Sequence, residues 1–298
     1  MIIDAHHHLW DLSKVNYPWL NARGVERFFG DPTPIQRDYD VADFRKDWAG
    51  LPIAGSVHIQ VGAAPEQSVR ETCWLNSRAL ETGFPSAIVA YVDLSSDIAM
   101  GVVDEHVAAS ARMRGIRHIV SRHPSEDNPG EGPALLDNPI FRENLKQLGA
   151  RGLSFDLQCT PPHLHRAAEL SAAIPALPVA LCHAGSPWSQ DVEGLAGWRS
   201  GLEALAQVPS VTCKLSGLGM FDRQWSLKSL RAVAETVMDV FGSQRVMWGS
   251  NFPVDRLYHG YSDMFSALRT IIPTKMHRDV FFNTAHKFYR LRLGTEAR

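Results

Sequence analysis

Hydrophobic and polar positions along this chain switch between two periods. Short runs rich in Val, Ile and Leu predict strands over residues 2–5, 53–61, 87–93, 114–120, 153–158, 179–182, 211–215 and 246–249. Between them, apolar residues recurring every three to four positions predict amphipathic helices over 66–81, 98–109, 141–148, 164–172, 195–206 and 227–241. Two more, near 263–271 and 275–289, close the series. Eight strand–helix units, with no glycine-rich phosphate loop after the first strand, predict an α/β fold. The expectation is a single (β/α)8 TIM barrel over 1–298 with an elaborated first βα loop, not a doubly wound sheet. Residues 12–40 make that loop: rich in Pro, aromatic and charged residues and without periodicity, they suit a lid or binding loop.

Composition narrows the function classes. A 298-residue chain that is 45% hydrophobic and 21% charged can build a sizeable core. Its formal charge of −2 gives no electrostatic basis for binding nucleic acid or an anionic membrane. A small-molecule substrate is therefore the expected partner, with the oligomeric state open, a homodimer included. The four cysteines (Cys73, Cys159, Cys182, Cys213) form no CxxC pair, and three lie in apolar strand-like segments, which fits a reducing compartment. The chain turns polar at Asp4 and has no apolar run near the ~20 residues of a spanning helix, so the expected location is cytoplasmic.

In barrels of this kind the chemistry sits at the carboxyl ends of the strands. The first strand leads into His6-His7-His8. Alternate strand side chains share a face, so His6 and His8 point together and can reach one divalent ion at about 2.0–2.1 Å. His183 follows the sixth strand and precedes Ala184-Gly185, which projects its ring into the barrel mouth. Arg117, flanked by Ile116 and Ile119, suits gripping a substrate carboxylate or pairing with Asp93 or Asp156. Arg122 and His123 offer a second anion contact. Lys214 faces the lumen if Leu215 faces the helices, there to polarise a carbonyl or to neutralise Asp156. His58 and Gln60 point inward if Val57 and Ile59 pack outward, and Trp10, Tyr17 and Trp19 suit an aromatic wall. His106, His163, His165, His277 and His286 fall in helical patterns and read as structural or surface residues.

With these residues placed, the chain resembles the amidohydrolase superfamily, in particular the amidohydrolase-2 branch that includes sugar-acid and pyrone-dicarboxylate lactonases. The resemblance covers nearly the whole chain and rests on motifs in family order. The first are Asp4-Ala5-His6-His7-His8-Leu9-Trp10-Asp11 with Tyr17-Pro18-Trp19-Leu20, then Gly115-Ile116-Arg117-His118 and Leu181-Cys182-His183-Ala184-Gly185. They continue with Cys213-Lys214-Leu215-Ser216-Gly217, with 245–254 (RVMWGSNFPV), and with Asn283-Thr284-Ala285-His286-Lys287-Phe288-Tyr289 at the end. The resemblance implies that His6 and His8 are the first-strand pair, that His183 is the sixth-strand histidine, and that the three hold one zinc-like divalent ion. Parts of this branch work without metal, so both readings stand.

One departure matters. Asn251 falls where most relatives carry an aspartate that ligates metal or acts as base, and an amide cannot take a proton from water, although its oxygen can ligate or orient. Gln158 replaces the fifth-strand histidine of two-metal relatives, and no fourth-strand lysine is available to carbamylate, which argues against a two-metal centre. The base then falls to Asp255, His183 or Asp156, in that order. The expectation is a hydrolase opening the ester ring of a small carboxylated or polyhydroxylated lactone. Arg117, His123, Lys214, His58, Gln60, Trp10 and Asp156 would contact the substrate. The alternatives are a lyase, decarboxylase or lactone isomerase on the same barrel, or a non-catalytic binder.

Overall fold

The computed structural model describes residues 1–126 and 131–293. Eight parallel strands follow one another around the sheet in chain order: β1 (Ile2–His7), β2 (Ile53–Ile59), β3 (Ala87–Ala90), β4 (Met113–Ile119), β5 (Ser154–Gln158), β6 (Val179–Leu181), β7 (Val211–Leu215) and β8 (Val246–Trp248). The ring closes through two backbone hydrogen bonds between the end of β1 and the segment after β8: Asn251 N to His6 O and His8 N to Phe252 O, both 2.7 Å. This is the (β/α)8 TIM barrel that the alternating pattern predicts.

Two apolar layers hold it. Inside the ring, Ile3, Ala5, Val57, Ile59, Val89 and Met247 pack together and plug the barrel. Outside it, residues such as Ile116, Phe155, Leu157, Cys213 and Leu215 pack against the helices. The helices match their predicted positions closely, as with Leu164–Ala172 and Leu227–Phe241. The last predicted helix, 275–289, differs: it is a 3-10 turn, a π-helical stretch at Asp279–Asn283 and a short α-helix at Thr284–Phe288. Three short α-helices went unforeseen, Pro18–Asn21 and Val41–Asp47 inside the first connection and Glu131–Asp137 after β4.

The expectation that β1 stops at Ala5 is corrected, because the strand runs on to His7. Asp4 pairs with Ser56 and His7 with His58, so three steps on β1 match two on β2. The extra residue is a β-bulge. It lets Ala5 join the inner plug while the next side chain, His6, also turns toward the axis. His7 then points out, stacked on Phe44 at 4.1 Å with Nε2 2.9 Å from Ser56 Oγ.

Candidate active site

The carboxyl ends of the strands open into a cavity of about 650 Å³. Its floor carries His8, Gln60, Arg117, Gln158, His183 and Asn251. Each comes from a different strand or the turn after it, which is why no short stretch of sequence contains the site.

Beneath the floor, His6 is fully buried with its ring 5.2 Å from that of His8 and 4.5 Å from that of His183. Neither ring nitrogen of His6 has a hydrogen-bond partner. A buried, unpaired polar atom is costly and marks a place where a ligand belongs. Gly249 makes room for this ring, since a Cβ there would sit 2.5 Å from the His6 Cβ. Asp4 braces the same corner: its carboxylate accepts from His6 N and Ser250 N on one oxygen and from the Tyr261 hydroxyl on the other.

His8 Nδ1 donates to the Ile59 carbonyl at 2.7 Å, which leaves Nε2 as an acceptor in the neutral ring. Burial above all, helped by the Arg117 charge, holds His8 neutral by pushing its pKa down to about 3. Facing Nε2 at 3.3 Å is the Asn251 Oδ1. The amide is fixed in that sense because its Nδ2 donates to Asp255 Oδ1 at 2.8 Å. Two acceptors therefore face each other, an arrangement that a cation or a donor hydrogen satisfies. Asn251 sits at φ 56°, a left-handed conformation that asparagine tolerates better than most residues.

His183 stands on a tighter bend. His183, Ala184 and Ser186 have φ of 54°, 52° and 60°, and the Trp198 indole donates to the Ala184 carbonyl at 2.6 Å to hold the turn. Its Nδ1 lies 3.1 Å from Ser216 Oγ. With the proton on Nδ1, that oxygen accepts and Nε2 presents a lone pair. Gly217 permits the approach: a Cβ there would come within 2.4 Å of the ring nitrogen. Burial first, then the charge of Arg117 and the neighbouring His8 and Lys214, hold the ring well below the ordinary imidazole pKa; burial followed by Lys214 and His183 does the same for His6.

Arg117 is 6% exposed. Its Nη1 donates to Gln158 Oε1 at 3.2 Å and its Nη2 to the Gln60 carbonyl at 2.5 Å, while Nε has no partner. Among the described residues no carboxylate pairs with it, so the expected alternative of a salt bridge to Asp93 or Asp156 does not hold. A buried guanidinium held only by neutral acceptors is left to bind an anionic or strongly polarised group.

Several expected contacts lie elsewhere. His58 faces the helix layer rather than the lumen, because Val57 and Ile59 are the residues that pack inward; its Nδ1 accepts from Leu9 N at 3.1 Å. Lys214 and Asp156 do face the lumen, but below the cavity, where they form a fully buried ion pair that also takes the Tyr289 hydroxyl at 2.8 Å. Asp156 is thus neutralised and does not line the cavity. Asp255, the first candidate for base, stands behind Asn251 and orients it, with its other oxygen 3.5 Å from His259 Nε2. Trp10 is fully buried, its indole donating to the Arg37 carbonyl, and it supports Trp19, which does line the cavity. His123 stacks under Phe28 at 5.5 Å, and its neighbour Arg122 reaches the cavity instead.

The covering loop was read as a lid or binding loop with Trp19 in an aromatic wall, but the residues that hold it in place were not foreseen. Arg27 pairs with Glu126 at 2.8 Å, and Glu126 also accepts from Phe28 N at 2.8 Å. The Phe28 carbonyl accepts from Arg223, so the loop is latched to the connections after both β4 and β7.

The donor set suits a zinc-class ion in kind: neutral imidazoles, the orphaned nitrogens of His6, and a ring of His8 whose other nitrogen is tied to a carbonyl in the manner of metal ligands. Among the described residues, however, no three His, Cys, Asp or Glu side chains close into a metal-binding group, so the match is one of chemistry and not of preset geometry. No helix of the described residues is long and apolar enough to cross a membrane.

Comparison with known proteins agrees with this architecture. The uncharacterized protein y4mH of Sinorhizobium fredii is 36% identical over 297 residues, covering 97% of this chain and 98% of its own. An L-fucono-1,5-lactonase of Burkholderia ambifaria is 29% identical, with 97% and 95% coverage. The crystal structure of an amidohydrolase from Burkholderia multivorans with bound zinc superposes with a TM-score of 0.81 at 25% identity, covering 98% of this chain and all of that one. The amidohydrolase profile matches residues 3–291, and this chain belongs to that family.

Proposed function

We propose that this protein hydrolyses the ring ester of a small lactone. The observation that carries the reading is the unpaired Arg117 guanidinium on the cavity floor beside neutral imidazoles, with no carboxylate among the floor residues. That combination suits developing negative charge on a carbonyl oxygen. The L-fucono-1,5-lactonase name of a relative supports the same reaction class.

In this reading Arg117 holds the lactone carbonyl oxygen or a neighbouring carboxylate, and Gln158 and the Gln60 carbonyl fix the plane of its fork. With Asp255 and Asp156 out of reach, His183 is the base. Its Nε2 takes a proton from water as the water oxygen bonds to the carbonyl carbon, and returns it to the ring oxygen as the ring C–O bond breaks. The product is a hydroxy acid, with one acid equivalent released per turnover. A zinc-class ion would be held by His6, His8 and the Asn251 amide oxygen, and when bound it supplies Lewis-acid polarisation of the carbonyl.

Acid release across a panel of lactones tests the reaction, and His183→Asn with metal analysis tests the assignment. Expected is a loss of ~10²-fold or more in kcat, the usual scale for a positioned base, with bound metal per protein unchanged. Loss of metal in that variant makes His183 a ligand instead. Carbon dioxide release, or conversion without acid, replaces hydrolysis by decarboxylation or isomerisation.

A further inference from the structure

The cavity is two-faced. Its floor carries hydrogen-bonding groups, much of whose capacity is spent within the protein, and Glu26, Arg27, Arg122, Ser125 and Glu126 add polar side chains elsewhere in its lining. The Gln60 side-chain oxygen accepts from Gly62 N, the Gln158 oxygen accepts from Arg117, and the Asn251 Nδ2 donates to Asp255, while its Oδ1 faces the acceptor Nε2 of His8 and stays open to a donor. Higher up, Arg27 and Glu126 are committed to each other.

The walls above are different. Trp19, Phe28, Phe29, Ile119, Met220 and Val254 contribute an apolar band. Trp19 has turned its only donor away, to the Val61 carbonyl at 2.7 Å, so it presents a ring and no hydrogen bond. The rings brace one another edge to face, Trp19 on Phe29 at 6.1 Å and Phe28 on Phe29 at 5.2 Å, and Phe28 lies stacked near both His123 and Phe221. Its aromatic members, Trp19, Phe28 and Phe29, belong to the latched lid.

A monosaccharide lactone carries hydroxyls around its ring, each of which needs a partner once desolvated. The polar groups can serve part of such a ring, but the part that lies against the band meets only carbon there. The volume of about 650 Å³ lies well inside the range of sites that enclose drug-sized ligands.

We infer that the substrate is a lactone bearing an apolar substituent, alkyl or aryl, which lies against Trp19, Phe29 and Met220 while its ester carbonyl meets Arg117 and the histidines. This rests on the lactone-hydrolase reading and sets the substrate class apart from the polyhydroxylated sugar lactone in the name of the 29%-identical relative.

The test is a substrate series on the intact protein: δ-valerolactone, the same ring with a pentyl or a phenyl group on the carbon next to the ring oxygen, and glucono-1,5-lactone. Each buried methylene is worth roughly fourfold in binding, so the substituted rings should exceed the parent in kcat/KM by at least ~10-fold, and exceed the sugar lactone as well. Trp19→Ser should reduce the ratio of substituted to parent ring by at least ~5-fold, since most of the shelf's area is lost. A sugar lactone that outperforms the substituted rings overturns the inference and leaves hydrolysis standing. If no lactone opens, the hydrolase reading falls, and calorimetric binding of the corresponding lactams takes over, since these resist hydrolysis. Tighter binding of the phenyl lactam than the parent by ~10-fold supports the apolar shelf; equal or absent binding overturns it.

Discussion

Replacing Arg117 with methionine keeps most of the side-chain volume and removes one buried charge. The guanidinium has five N–H donors; one goes to Gln158 Oε1 and one to the Gln60 carbonyl, and Nε is free. The remaining donors suffice for a two-pronged grip on a carboxylate or carbonyl. Hydrogen bonds to a charged group are worth ~1.5–3 kcal/mol each, so losing the grip should lower kcat/KM by ~10²-fold or more, about 2.7 kcal/mol at 1.36 per decade. Stability should behave differently. The variant strands two acceptors, at ~1–3 kcal/mol each, but it also removes a lone buried cation whose desolvation costs several kcal/mol. These nearly cancel, so Tm should move by no more than about 5 °C. The assay compares a carboxylated and a neutral lactone in wild type and variant, with thermal unfolding alongside. Equal losses on both substrates together with a large fall in Tm would refute the reasoning and make Arg117 a structural cation.

Three further outcomes follow from the same geometry. Asn251→Asp places a carboxylate where an amide oxygen faces His8 Nε2, so the His8 pKa should rise from about 3 and zinc retention should increase, read by elemental analysis and the pH–rate profile. Lys214→Met leaves Asp156 buried and unpaired and should cost about 3–5 kcal/mol in denaturant unfolding, most of it recovered when Asp156→Leu is added. Glu71, buried beside the Val61 amide, has its pKa raised to about 7 by desolvation, so the folded state holds its proton more tightly than the unfolded chain. Its contribution is therefore fully present below about pH 4.5 and lost as pH rises through 7, by about 3 kcal/mol. Glu71→Gln should raise Tm at pH 8 more than at pH 5; an equal shift at both would sink that account.

The barrel was legible because eight apolar strands separated by amphipathic helices leave few other architectures. His6 and His8 were legible as a pair sharing a face, yet the bulge that turns His6 inward came from pairing with β2, a partner about fifty residues away. His58 was misplaced for a related reason. A strand's alternation gives two faces, but which one meets the axis is decided by neighbours, and Val57 and Ile59 took it. Lys214 and Asp156 were correctly turned to the lumen, but their depth along the axis has no signature in a five-residue strand. The lid residues Phe28 and Phe29 and their latch partner Glu126 lay hidden because their loops have no period, and only the latch between distant connections gives them meaning.

The left-handed backbone at His183, Ala184, Ser186 and Asn251 has a consequence for how this protein can change. Non-glycine residues held there cost of order 1–3 kcal/mol each, paid by the packing around them. Glycine would relieve that cost at every one of the four. A library sorted for heat resistance alone should therefore enrich Ala184→Gly, where the side chain given up is a single methyl. The same reasoning favours Asn, Asp or Gly at position 251 for backbone reasons before any chemistry is considered. Exchange between a carboxylate and an amide is thus a step that the main chain at this position tolerates.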